Sequence, residues 1–243
     1  MQLILDAGNS FLKIALFNQD DKIVRQSTTS YNENSLNTSL SEFADFPISK
    51  IGYCSVVNHN IKKQLQVFFD QKIIEINRQS NLSIKTKYET PNTLGIDRLI
   101  ACAGARKLNS TQPLLVIDIG TCITYDFLDS NNVHYGGAIS PGLQLRVKAM
   151  HNYTDHLPLV DLNITDMQAP ANSTTNALKS GVLKGVLFEL QGFINEKKHF
   201  APNLQVFLTG GDAIFFEDAL KNGIFAQRNL NLIGLNELLK LNA

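Results

Sequence analysis

Two Asp-x-Gly turns, each set between apolar runs, are the residues of this chain best suited to chemistry. Asp6-Ala7-Gly8-Asn9-Ser10 lies within Leu3–Phe17, and Asp118-Ile119-Gly120-Thr121 within Leu114–Leu128. A glycine without a Cβ lets backbone N–H groups close on a phosphate. A carboxylate at the strand end, Asp6, can hold Mg²⁺, a hard cation that takes carboxylates, waters and phosphate oxygens. Asn9 and Ser10 add short polar groups, and Lys13 follows on the returning strand. A single turn of this type is also an ordinary β-hairpin connection. The second copy opens the other half of a 243-residue chain, after an apolar strand with no local need of a carboxylate. Together the two read as a duplicated domain gripping the phosphates and metal of a nucleotide across a central cleft, which points to phosphoryl transfer.

Other segments carry weaker signals. Gly95-Ile96-Asp97-Arg98 opens a helix in which Ile96, Leu99, Ile100 and Ala103 form the apolar face. Asp97 falls on a different face, with Ala101 and Gly104, small residues that admit a close neighbour. An Asp beside an Arg could orient a substrate hydroxyl and bind its anionic end, although the helix dipole alone favours an acid in a first turn. Gly136-Gly137 and Pro141-Gly142 bracket a strand-to-helix junction, which is either structural punctuation or an anion site. Thr209-Gly210-Gly211 offers bare backbone to a base or ribose, with Asp212 expected as a helix N-cap. Gly181 and Gly185 suggest close helix packing. The histidines, His59, His134, His151, His156 and His199, have no zinc-like spacing. No G-x-S-x-G elbow supports Ser-His-Asp chemistry.

Composition narrows the class. Lys+Arg and Asp+Glu both number 22, so the basic excess of a nucleic-acid binder is missing. Cys54, Cys102 and Cys122 form no C-x-x-C pair and lie in apolar runs, as expected of reduced, buried thiols. The opening Met1–Asp6 lacks a basic region and meets an acid early, unlike a signal peptide. No apolar run reaches the ~20 residues of a membrane span. The expectation is a cytoplasmic protein with no membrane and no nucleic-acid partner.

The elements that must position these residues repeat. In the first half the patterns predict strands at Leu3–Asn9, Phe11–Asn18 and Lys22–Thr29, a helix over Asn34–Phe46, a strand at Ile51–Val57, a helix over Asn60–Phe69, a strand at Lys72–Ile76 and a helix over Leu94–Leu108. The polar stretch Asn77–Thr93 has no assignable pattern. A boundary at Pro113 gives domains at 1–112 and 113–243. The second half predicts strands at Leu114–Thr121, Cys122–Asp129 and Val133–Ser140, a helix to Tyr153 and a loop to Ala171. It continues with a long helix over Thr174–Lys198, a strand at Leu204–Leu208, a helix over Ala213–Leu220, a strand around Leu230–Ile233 and a short terminal helix. Three strands followed by alternating helices and strands, twice, is the pattern of a duplicated ribonuclease-H-like, α/β fold with two lobes.

With these motifs assembled, the chain resembles the type III pantothenate kinase family of the actin, Hsp70 and sugar-kinase superfamily. The resemblance is carried by Asp6–Lys13 (D-x-G-N-[TS]-x-x-K), Tyr88-Glu89-Thr90-Pro91, Gly95–Arg98 (G-x-D-R), Asp118–Thr121 with Thr124 and Asp126, Gly136–Gly142 (G-G-x-I-x-P-G) and Thr209–Gly211. It implies ATP-dependent phosphorylation of pantothenate. The residues Asp6, Ala7, Gly8, Asn9, Ser10, Phe11, Leu12 and Lys13 would form the ATP phosphate loop, with Asp6 holding Mg²⁺ through ATP and Thr121 also contacting ATP. Asp97 would be the base that takes the substrate's hydroxyl proton. Tyr88, Gly95, Ile96, Asp97 and Arg98 would line the pantothenate pocket, and Thr174, or its neighbour Thr175, would complete it. Asp118 would bind the monovalent cation, K⁺ or NH₄⁺. The resemblance also implies a homodimer. Ser10 and Cys122 depart from the usual family residues without loss of a functional group. A non-catalytic transcription accessory protein of the same fold is the alternative reading.

Overall fold

The computed structural model describes residues 1–243 apart from 58–59, 110 and 221–222; His59 therefore lies outside the described residues. Packing divides the chain into two units: residues 1–110 with 132–134 and 229–243, and residues 111–131 with 135–228.

The first unit carries β1 (Gln2–Ala7), β2 (Leu12–Phe17), β3 (Ile23–Thr29), α1 (Glu33–Ser41), β4 (Lys50–Ser55), α2 (Ile61–Phe68), β5 (Ile73–Glu75), β6 (Lys85–Thr86) and α3 (Ile96–Leu108). Its sheet runs β3-β2-β1-β4-β5, with β1–β2–β3 antiparallel and β4 and β5 parallel to β1. The alternation of side chains along a strand gives this sheet two apolar faces. Leu3, Leu5 and Ala7 pack with Leu36, Leu40 and Leu65 of α1 and α2. Ile4 packs on the opposite face with Ile96 and Ile100 of α3.

The second unit holds β7 (Leu114–Ile119), β8 (Cys122–Leu128), most of β9 (Val133–Pro141), α4 (Leu143–Asn152), α5 (Thr174–Phe200), β10 (Gln205–Thr209), α6 (Glu217–Leu220) and β11 (Ile224–Ala226). Its strands run β9-β8-β7-β10-β11, the order of the first sheet repeated. Val133 and His134, at the start of β9, belong with the first unit, where they pair with Lys85 and Thr86 of β6. The duplicated ribonuclease-H-like fold is thus present in both sheets.

The chain ends in α7 (Leu230–Asn242), which corrects the strand expected around Leu230–Ile233. The Leu230, Leu232 alternation mimics a strand over four residues, but Leu230, Leu235, Leu238 and Leu239 form a buried helical face. The last strand is instead Ile224–Ala226. Helix α7 returns to the first unit and crosses α3 at two glycines. A Cβ on Gly104 would stand 2.2 Å from the Leu230 carbonyl oxygen, and one on Gly234 would stand 2.0 Å from that of Ile100. The neighbour admitted by Gly104 is therefore a helix.

Three smaller expectations change. Gly181 and Gly185 do not mediate packing within the described residues, since a Cβ at either meets nothing within 4 Å. The helix expected over Ala213–Leu220 is a 3-10 turn (Gly211–Phe215) followed by the short α6, and Gly210, not Asp212, holds the N-cap position. Cys54 and Cys102 are buried, but Cys122 is exposed at the start of β8.

Candidate active site

In the first unit the pleat of β1 directs Asp6 to the face that α3 and α7 cover, the face of Ile4. Lys13 and Cys54 are its register partners on β2 and β4. Burial holds the Asp6 carboxyl above the ordinary carboxylate range. Lys13 opposes that shift, the Asp97 carboxylate adds to it, and a hydrogen bond from the Asn231 side chain opposes it. Asp6, Lys13, Asp97 and Asn231 therefore form one electrostatic cluster, drawn from β1, β2, α3 and α7. Burial, reinforced by Asp6 and Asp97, pushes the Cys54 thiol well up, so it remains protonated and is no nucleophile.

Asp97 folds its carboxylate back over the glycine two residues before it. A Cβ on Gly95 would lie 2.4 Å from Asp97 Oδ1, so the carboxylate occupies space only a glycine leaves. Between β1 and β2, the Gly8 N–H donates to Phe11 O at 3.1 Å, closing a loop in which Asn9, Ser10 and Phe11 are exposed. Ala7 and Leu12 bury their side chains in the core, leaving only backbone to offer a ligand.

Tyr88 and Arg98 come together. The Arg98 guanidinium lies 5.6 Å from the centre of the Tyr88 ring, within cation–π range, and the residue is almost fully buried. The Tyr88 N–H donates to Thr86 Oγ1 at 3.1 Å, and that hydroxyl lies 3.1 Å from Nδ1 of the buried His134. Ile96 belongs to the apolar core beneath. Sequence reasoning missed both His134 and Asn231. Each is remote in sequence from the motif it supports, and only β6–β9 pairing and the α3–α7 crossing bring it there.

In the second unit Asp118 has Thr124 and Thr209 as register partners on β8 and β10. Its neighbours Ile117 and Ile119 enter the core, so Asp118 faces away from it. The Gly120 N–H donates to Cys122 O at 3.1 Å, and the Gly142 N–H, at the start of α4, donates to Thr121 O at 3.0 Å. A Cβ on Gly142 would stand 2.1 Å from Gly120 O, and one on Gly137 would stand 1.7 Å from Tyr125 O. These glycines serve close backbone packing. Gly210, at φ +97°, tucks under Ile119, while Gly211 faces open space. Burial raises the Asp212 carboxyl. Thr174 is exposed at the first position of α5, where Ser173 Oγ accepts from the Asn176 N–H at 3.2 Å. Among the described residues no cluster of three or more His, Cys, Asp or Glu forms a metal cage.

A profile described as type III pantothenate kinase matches residues 2–196. The chain belongs to the type III pantothenate kinase family. The type III pantothenate kinase of Phocaeicola vulgatus is 38% identical over 244 residues, covering 100% of this chain and 99% of that protein. That of Flavobacterium johnsoniae is 39% identical, covering 98% and 96%. Among solved structures, a Campylobacter jejuni protein assigned to the Baf family of transcriptional activators has a TM-score of 0.60 at 25% identity, covering 98% and 97%. A ROK family glucokinase from Streptomyces griseus, solved with glucose and AMPPNP, has a TM-score of 0.59 at 8% identity and 98% coverage of both chains. At that identity the likeness speaks for the fold alone. This is a kinase family on a kinase fold.

Proposed function

We propose that this chain transfers the γ-phosphoryl group of ATP to the primary hydroxyl of pantothenate, giving 4'-phosphopantothenate, the first step of coenzyme A biosynthesis. The observation that carries the reading is the cluster of Asp6, Lys13 and Asp97 beside an exposed Gly8–Phe11 loop, in a chain of this family. Phosphoryl transfer has a loose transition state, so the protein's work is positioning and charge neutralisation. Asp97, held over Gly95, orients the acceptor hydroxyl and takes its proton late in transfer. The backbone N–H groups and Lys13 hold the triphosphate. Arg98 and Tyr88 receive the acceptor's carboxylate end.

Mg²⁺ fits Asp6, because the ion usually takes one or two carboxylates plus phosphate oxygens and waters, and this buried carboxyl has a second one beside it. A monovalent cation fits Asp118, whose two register partners are threonines, oxygen donors without positive charge. When bound, such ions neutralise charge on the transferring phosphoryl group. The open glycines Gly181, Gly185 and Gly192 on α5, with the exposed Phe188 nearby, support a homodimer. No helix among the described residues is long and apolar enough to cross a membrane, and we place the enzyme in the cytoplasm. A non-catalytic transcription accessory role ranks behind, because such a protein need keep neither Asp97 nor Lys13. A coupled ATP-consumption assay with pantothenate, compared with sugars and acetate, tests the reading. Turnover confined to pantothenate is expected; turnover with a sugar or with none of them would overturn it.

A further inference from the structure

Tyr31, between β3 and α1, is absorbed by neither hairpin motif, yet its hydroxyl reaches into the first one. It donates to Gly8 O at 2.5 Å and lies 3.2 Å from Phe11 O. In a four-residue turn the first carbonyl ordinarily accepts from the fourth N–H. Here the fourth N–H is that of Phe11, and the Gly8 carbonyl is already occupied by a phenol from outside the turn. Phe11 O is engaged as well, by the Gly8 N–H at 3.1 Å. Among the described residues no acceptor engages the N–H groups of Asn9, Ser10 or Phe11.

We infer that Tyr31 is a positioning residue that fastens the loop's carbonyls so that three successive N–H groups stay available to an anion. The inference rests on the kinase reading, since the anion concerned is the ATP phosphate. Two electrostatic facts agree with it. A carbonyl dipole turned toward a polyphosphate repels it, whereas a run of N–H groups forms a nest for it. Burial, with the Asp6 carboxylate adding, pushes the Tyr31 phenol up to about 12, so the hydroxyl keeps its proton and remains a donor.

Tyr31→Phe removes one oxygen and leaves the ring. Losing one positioning hydrogen bond should raise the Kd and KM for MgATP by roughly 3- to 10-fold, with KM for pantothenate unchanged. A purely structural tyrosine would lower Tm and leave the ATP constants alone; unchanged ATP affinity in this variant would therefore overturn the inference. Hydrogen exchange on the wild-type protein supplies a measurement independent of the variant. The Asn9–Phe11 amides should exchange fast without nucleotide and slowly with MgATP. Slow exchange without nucleotide would mean that these groups already have partners, and would also overturn it. A wild-type chain that binds no ATP would remove the kinase reading and the role of the loop with it. A wild type and a variant that bind ATP equally would remove the inference alone.

Discussion

The two hairpins share a fold position and differ in what stands beside the carboxylate. Asp6 has Lys13 on one side and Cys54 on the other; Asp118 has Thr124 and Thr209. Both pairs come from equivalent strands of sheets with the same order. Opposed residues on neighbouring strands share a face, so the first carboxylate carries a built-in cation and the second carries hydroxyls. The same scaffold occurs twice, and the lysine opposite the carboxylate sets the first copy apart from the second. In the other copy the carboxylate is opposed by two threonines, and it is there that the monovalent cation is proposed.

The largest effect should follow from Asp97, the second carboxylate that acts on Asp6. Asp97→Asn should lower kcat by roughly 10²–10⁴-fold, the usual worth of a positioned acid or base, while ATP still binds; near-wild-type turnover in steady-state assays would remove that role. Next comes the monovalent cation proposed at Asp118. A unit charge about 4 Å from another is worth about 1–4 kcal/mol, so omitting K⁺ and NH₄⁺ should slow the wild type by about tenfold or more. Thr124→Lys copies the first hairpin into the second, and its rate should be the same in sodium as in potassium buffer. If potassium still accelerates that variant, the contrast drawn between the hairpins fails.

A smaller effect separates function from stability. Because burial raises Asp6 above its ordinary 3.8, the folded state holds its proton to higher pH than the unfolded chain does. Stability is thus fully present below the ordinary value and is lost as pH climbs through the raised one. Asp6→Asn should be inactive yet more stable at neutral pH without ligand, each kcal/mol recovered moving Tm by about 2–4 °C. The advantage should shrink in acid. Calorimetry across pH checks this, and a variant less stable than wild type at pH 7 would contradict the assigned burial cost.

What could be read from sequence was whatever is local. The two turns, the strand alternation around them and the Gly95–Arg98 helix start are short-range signals, and each lies where its residue types require. The errors have a common cause. Leu230–Ile233 was too short a window to separate a strand from a helix, and its partner Gly104 lies more than a hundred residues upstream. Gly181 and Gly185 follow the spacing of packed glycines without a neighbour among the described residues. Asn231, His134 and Tyr31 bear on the site through topology, and no motif contains them.

The crossing of α3 and α7 also bears on how the protein is made. The helix that supplies Asn231 to Asp6 leaves the ribosome more than two hundred residues after the strand it completes. Synthesis runs from the N-terminus at about 5–20 residues per second, so the nascent amino-terminal lobe must wait, part of one apolar sheet face uncovered, until that helix has been made. A stop codon just before Leu230 would strip that lobe of this cover while sparing every motif of the family resemblance.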